Sequence, residues 1–226
     1  ADADDTFDAS TADSWGNNDV LAGGAGTDTL TATINDDSSA DTVTFEANTD
    51  SIEVFNITVA PVTAASNAAV IDFDAVSNAD TLSITNIGSD DENLTIENLD
   101  QIPEFTLQTN SGDTTLQFQD AALAGDTDDL VINLNGAEAN SNIILSLSAG
   151  STETLETVSL VTGSVANTLN DLQTTLVGSS TLEITGDENL TIETALDAEI
   201  TTISAGDFTG DLDITLAAGT TDNSIT

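Results

Sequence analysis

The chain has 226 residues, 41 Asp plus Glu and no Lys, Arg or His, for a formal charge of −41. With no cationic side chain it has nothing to set against a phosphate backbone, an anionic bilayer surface or a zinc-site ligand list built on His and Cys, so nucleic-acid binding, membrane-surface binding and such zinc sites are excluded. The absence of His, Cys and Lys also removes the Ser-His-Asp triad, the thiolate, the Schiff-base lysine and the P-loop, and leaves carboxylate chemistry: oxygen ligation of a hard cation such as calcium, or a glycosidase-type acid pair.

Residues 1–18 are rich in Asp, Ala, Thr and Ser, with Phe7 and Trp15 as apolar anchors. They read as an irregular leader in which Trp15 covers the end of a core. Ala1–Asp5 is acidic where the first part of a secretory leader would be basic.

Gly23-Gly24-Ala25-Gly26-Thr27-Asp28-Thr29-Leu30-Thr31 then fits G-G-x-G-x-D-x-U-x, the calcium-binding nonapeptide of β-roll proteins, at every defined position. Gly23, Gly24 and Gly26 let the backbone turn tightly with its carbonyls facing a cation, Asp28 supplies a hard anionic oxygen, and Leu30 points inward. Asn17-Asn18-Asp19-Val20-Leu21 is a weaker copy nine residues earlier, with Asn in the turn positions. In a roll of this kind a metal lies between turns about 18 residues apart. The partner of Asp28 is then expected near Ser10 or Glu46, with Asp8 and Asp13 as the carboxylates closest to Ser10. The candidate ligands are Asp8, Asp13, Asp19 and Asp28, and the cofactor is Ca2+. A plain Gly-Asp turn is the alternative reading.

After Leu30 the chain becomes a series of short Thr-, Ile-, Val-, Leu- and Phe-rich segments separated by Gly, Asn, Asp and Ser. Strands are expected at 29–34, 42–46, 52–59, 70–73, 81–86, 93–98, 104–108 and 114–118. They continue at 129–134, 142–147, 157–161, 174–176, 181–185, 189–193, 199–203 and 212–216. Many alternate apolar with polar residues, as in Leu130-Val131-Ile132-Asn133-Leu134, which sets one face in a core and one in water. Val165, Leu169, Leu172 and Leu176 fall at helical spacing and predict one short helix over 164–176. Pro61 and Pro103 mark strand edges or turns. Gly125-Asp126-Thr127-Asp128-Asp129 and Ser89-Asp90-Asp91-Glu92 are further acidic turns that serve either as calcium ligands or as solvated loops.

Asp91-Glu92-Asn93-Leu94-Thr95-Ile96-Glu97 recurs unchanged as Asp187-Glu188-Asn189-Leu190-Thr191-Ile192-Glu193, each copy following an Ile-Thr strand and a turn, as in stacked rungs. The expected fold is all-β, a parallel β-helix-like solenoid with an N-terminal calcium-binding nonapeptide loop; a β-sandwich is the alternative. Residues 1–34 form the acidic leader and nonapeptide segment, and 35–226 the strand repeats, in two halves dividing near 125.

The run from Asp5-Thr6-Phe7 through Leu30, followed by the repeats at Ile200–Leu216, resembles type I-secreted, calcium-binding repeat proteins that build bacterial surface layers. The resemblance covers about a fifth of the chain, and the nonapeptide is its more specific part. It implies a right-handed β-helix-like architecture, secretion to the extracellular space or cell surface without an N-terminal signal, and calcium-driven self-assembly into a lattice or filament. Gly23, Gly24 and Gly26 would shape the loop, and Asp28 and Asp19 would supply ligands. The expected function is therefore a structural, non-enzymatic subunit whose partners are copies of itself and a cell-surface polysaccharide, with no nucleic acid and no membrane insertion. An adhesin or carbohydrate-binding module is the alternative class, and an acid-pair glycosidase a third.

Overall fold

An apolar residue alternating with Thr, Asn or Ser over five to nine positions cannot present one apolar stripe on a helix, whereas on a strand it buries one whole face. The computed structural model describes residues 3–12, 14–17, 19–36, 43–61, 68–86, 93–110, 112–125, 127–139, 141–148, 153–175, 178, 180–217 and 224–225, and in it this pattern builds a parallel β-solenoid with almost no helix. The first strands are β1 (Thr6–Ala9), β2 (Leu21–Ala22), β3 (Thr29–Asp36), β4 (Val43–Asp50), β5 (Val54–Pro61), β6 (Ala68–Val76) and β7 (Thr81–Asn86). Next come β8 (Asn93–Leu99), β9 (Glu104–Asn110), β10 (Thr114–Phe118), a 3-10 turn at Asp120–Leu123, β11 (Asp129–Leu134), β12 (Asn142–Leu147) and β13 (Thr157–Thr162). The last are β14 (Asn167–Leu169), β15 (Asp171–Thr174), β16 (Ser180–Gly186), β17 (Leu190–Ala195), β18 (Ile200–Ser204), β19 (Leu212–Thr215) and β20 (Ser224–Ile225).

Up to β13 the chain alternates between two sheets, odd strands in sheet A and even strands in sheet B. Sheet A then continues through β16, β18 and β20, sheet B ends at β15, and a three-stranded sheet C of β14, β17 and β19 takes over that side. All pairings are parallel, so each strand meets the one a full coil later.

The core is a set of stacked apolar columns. In sheet A, Leu30, Phe55, Leu82, Phe105, Ile132, Leu160 and Ile184 lie in register on successive strands, each fully buried. In sheet B the matching column is Phe45, Ile71, Ile96, Leu116 and Leu145. Each such side chain contributes about 1.5–3 kcal/mol by leaving water, and only because its neighbours above and below do the same.

Several expectations change. Residues 164–176 form β14 and β15, not a helix: Leu169 and Leu172 enter the core on either side of a corner at Asn170, so the helical spacing is the repeat of a bent strand. The predicted strand at 174–176 is the end of β15, and Leu176 lies outside the described residues. The leader is not irregular throughout, because Thr6–Ala9 is the first strand of sheet A and pairs with β3 across Thr6↔Thr29. The two heptapeptide copies each follow a sheet A strand, but one enters sheet B as β8 and the other sheet C as β17. Trp15 does cover the core: it is 4% exposed and meets Phe45 edge-on, with ring centroids 4.4 Å apart.

Candidate metal centre

Asp28 stands immediately before β3, the position at which the chain turns inward to start a strand. It is fully buried. Its Oδ1 accepts a hydrogen bond from the Asp5 N–H at 2.6 Å, one coil earlier, and its own N–H donates to Glu53 Oε2 at 2.8 Å, one coil later. The Asp28 carbonyl accepts from the N–H groups of Glu53 and Val54, which locks this rung to the next. Beside it, the Thr27 N–H donates to Asp4 Oδ1 at 2.9 Å. Asp28 Oδ2 is buried with no hydrogen-bond partner.

The glycines explain how the carboxylate gets there. A Cβ on Gly23 would collide with the Ser51 carbonyl oxygen and with Asp28 Oδ2, so only a residue without one lets the loop close over the carboxylate. Gly26 has φ +138, and a Cβ there would meet the Ala3 carbonyl at 2.6 Å. Two oxygens bearing negative charge, Asp28 Oδ2 and the Ser51 carbonyl, thus converge on one small region with no donor between them. Burying an unpaired carboxylate costs several kcal/mol, of order what its desolvation demands. The donor set of carboxylate and main-chain carbonyl oxygens is that of a hard cation. Among the described residues no group of three or more Asp or Glu side chains is placed to hold a metal, so a cation at Asp28 would be held by one carboxylate and main-chain oxygens.

The other predicted ligands lie elsewhere. The coil step about Asp28 is 23 residues back to Asp5 and 25 forward to Glu53, not the shorter roll spacing, so neither Ser10 nor Glu46 is its neighbour. The step is longer because the strands are longer, β3, β4 and β5 running to eight residues each, almost a whole nonapeptide before any turn. Asp19 is exposed and its Oδ2 accepts from the Gly16 N–H at 2.9 Å. Asp8 is exposed on β1, its Oδ1 accepting from the Ser10 N–H at 3.0 Å; bonds from the Ser10 side chain and backbone hold its carboxyl below the ordinary value. Asp13, Asp126 and the turn 89–92 lie outside the described residues. Gly24 occupies the left-handed region at φ +98, in open space.

Sequence reasoning missed Asp5, Ser51 and Glu53, yet a signal was there. An acid stands two positions before the inward apolar residue in Asp5-Thr6-Phe7, Asp28-Thr29-Leu30, Glu53-Val54-Phe55 and Asp80-Thr81-Leu82, on four successive sheet A strands. The same device recurs at Asp128-Asp129-Leu130 and Glu156-Thr157-Val158, where the Asp128 N–H donates to Glu156 Oε2 at 2.8 Å. In a chain without cationic side chains, main-chain N–H groups of the neighbouring rung serve these carboxylates instead. Burial raises Glu156, but bonds from the Asp128 N–H and the Thr154 hydroxyl outweigh it and leave the carboxyl below its ordinary value.

The outer faces of both sheets mix uncharged columns with carboxylates, and on sheet A Glu104 and Glu183 stand beside the column that starts at Thr31. Thr31, Asn56, Ser83, Thr106, Asn133, Val161 and Thr185 form one in-register column on sheet A that carries no carboxylate. On sheet B, Glu46, Asp72 and Glu97 occupy successive rungs in register, about 4.8 Å apart as strand spacing dictates. Burial first, and then the Asp72 charge, push the Glu97 carboxyl up.

No protein-family model, curated protein or solved structure matches the chain.

Proposed function

We propose that this chain is a structural subunit of a secreted, calcium-dependent extracellular assembly, a surface layer or matrix filament, that self-associates through its β-rich faces. The observation that carries the reading is the uncharged column from Thr31 to Thr185 on the outer face of sheet A, in a chain of −41. Two copies with that charge repel one another wherever their carboxylates meet. This hydroxyl- and amide-rich strip, with Glu104 and Glu183 at its margin, is where they approach at least electrostatic cost, and it has no Lys to discourage contact.

Calcium enters through Asp28. A bound divalent ion would neutralise the buried carboxylate and lower the self-repulsion of the first coils, with Asp28 Oδ2 and the Ser51 carbonyl as its donors. An extracellular location follows from the same reading, because flexible oxygen sites of this class suit the 10⁻⁴–10⁻³ M calcium range of extracellular modules, roughly. The chain acts as scaffold and not as catalyst.

Calcium titration followed by light scattering and electron microscopy tests the assembly. Ordered lattices or filaments in millimolar calcium, dispersed by chelator, are expected; a monomer at every calcium concentration overturns the reading. Asp28→Asn tests the ion separately, since its amide would donate to the Ser51 carbonyl and remove the charge. The wild-type melting temperature should rise with calcium, by the equivalent of about 2.7 kcal/mol at a hundredfold excess over Kd, and the variant's should not.

A further inference from the structure

One link in the chain is chemically weaker than the rest. Asn135-Gly136, just past the end of β11, is the single Asn-Gly pair in the sequence. In such a pair the glycine nitrogen can attack the asparagine side-chain carbon, because no Cβ on the following residue crowds the five-membered ring that forms. Asparagine counts among the thermolabile residues for this kind of reaction. The fold nevertheless demands the glycine: Gly136 has φ +115, and a Cβ there would stand 2.9 Å from the Gln108 carbonyl oxygen.

The surrounding groups hold both reacting partners in an unreactive arrangement. The Gly136 N–H, whose nitrogen is the nucleophile, donates to Asn167 Oδ1 at 2.9 Å, and the Ala137 N–H donates to the same oxygen at 3.0 Å. Asn167, at the start of β14, is 2% exposed and is itself fixed, its Nδ2 donating to the Val165 carbonyl at 2.8 Å and the Leu134 carbonyl at 3.4 Å. It thus uses both donors and both lone pairs of its amide. The electrophile is held from the other side. The Asn135 N–H donates to the Leu107 carbonyl at 2.9 Å, and its Nδ2 donates to Gln108 Oε1 at 2.8 Å. Water is not what is missing: Asn135 is half-buried and lines an open hollow of about 180 Å³ with Asn133, Val161 and Gly163.

We propose that Asn135 is a deamidation site that Asn167 keeps closed in the folded coil and that reacts when this coil opens. On opening, the Gly136 nitrogen gives its proton to solvent base and bonds to Asn135 Cγ; the Cγ–Nδ2 bond breaks and ammonia leaves, taking up a proton. Water then opens the ring, to aspartate at one carbonyl or to isoaspartate at the other. One water is consumed and one ammonia released, with no change of oxidation state. Either product adds a carboxylate beside the uncharged column of sheet A. That carboxylate accepts but does not donate, so Gln108 must turn its amide and give up its bond to Ser83. The conversion does not reverse, and each chain carries a record of whether its coil has opened. This site goes beyond the assembly reading and is independent of it and of calcium.

With no Lys or Arg in the chain, a Glu-specific protease is the tool that isolates the site, as the peptide 105–138 between Glu104 and Glu138. The full chain is incubated in mildly alkaline buffer, folded and in guanidinium, and conversion at Asn135 is followed by fragmentation mass spectrometry. The unfolded chain should react at Asn135 before any other asparagine, and the folded chain about tenfold or more slowly, because the reaction waits for local opening. Guanidinium below the unfolding transition should raise the folded rate in step with amide exchange at Gly136, which reports the same opening. Asn167→Ala, folded by circular dichroism, should move the rate toward that of the unfolded chain. Gln108→Ala frees the Asn135 amide but leaves the Gly136 N–H bonded, and should stay near wild type. Equal rates in the folded and unfolded chain overturn the proposal, as does a folded Asn167→Ala chain that reacts no faster than wild type. If that variant does not fold, the wild-type chain decides alone: a rate that fails to follow Gly136 exchange overturns the gate.

Discussion

Asp28–Glu53 and Asp128–Glu156 are the same device built twice, a hundred residues apart. In both, an aspartate N–H donates to a glutamate Oε2 one coil later at 2.8 Å, and the aspartate carbonyl takes two N–H groups from the start of the following strand. They differ in what covers them. Asp28 is sealed beneath Gly23, whose missing Cβ leaves room for Oδ2 and the Ser51 carbonyl, while Asp128 is half-buried and lies 3.0 Å from where a Gly125 Cβ would stand. Both carboxylates keep their Oδ2 out of water, so the two devices differ in how completely the residue is buried and in how tightly a glycine closes over it.

The largest effect that would separate the two comes from the glycines. Gly23→Ala drives a methyl into a backbone carbonyl and the buried carboxylate, which cannot both move; a loss at or above the about 1–3 kcal/mol of ordinary overpacking is expected in urea unfolding. Gly125→Ala meets only the end of the Asp128 side chain, which can swing away, and should stay within about 1 kcal/mol of wild type or be slightly stabilising. Equal losses at the two positions would erase the distinction. Next in size are the glutamates. Glu53→Ala leaves the N–H of a fully buried residue without its acceptor and should cost about 1–3 kcal/mol, whereas water can replace Glu156 after Glu156→Ala, at about 1 kcal/mol or less.

The smallest and most informative effect is in pH. Glu156 sits below its ordinary value of 4.5, so it contributes stability that is present above that pH and lost as pH falls through the depressed value. Glu156→Gln should flatten the acid limb of a plot of Tm against pH. Glu97, on the acidic face of sheet B, has the opposite sign: its raised carboxyl favours the fold while protonated, and that contribution fades as pH rises from 4.5 through the raised value. Glu97→Gln should therefore raise Tm at neutral pH and leave it unchanged in acid. An unchanged neutral Tm would mean that the Glu46–Asp72–Glu97 column is fully relieved by solvent and salt.

Much of the fold was legible in the chain. β7, β10, β11 and β12 begin and end where alternation of apolar and polar residues begins and ends. Alternation passed over the short strands β1, β2 and β20, and it misled at the corner of β14 and β15, where a bend carries Leu169 and Leu172 into the core three residues apart and imitates a helical stripe. At the candidate metal centre Asp28 and its glycines were legible because a close backbone approach leaves glycine as its mark. Glu53, Ser51 and Asp5 were not, because their place beside Asp28 depends on a coil step that varies from 23 to 28 residues with the length of each connection. A motif written for one fixed step points to Ser10 and Glu46 instead.

Composition and alternation dictate, before any folding, that this chain forms strands, that half of each strand seeks a core, and that no cationic side chain will answer its 41 carboxylates. Those are local and additive properties. Which strands share a sheet, that Asp8 and Asp19 turn to Ser10 and Gly16 rather than to Asp28, and that one aspartate is fully buried while its twin keeps partial exposure are set by the stacking of coils. Stacking is decided between residues more than twenty positions apart, and only the tertiary structure brings them together.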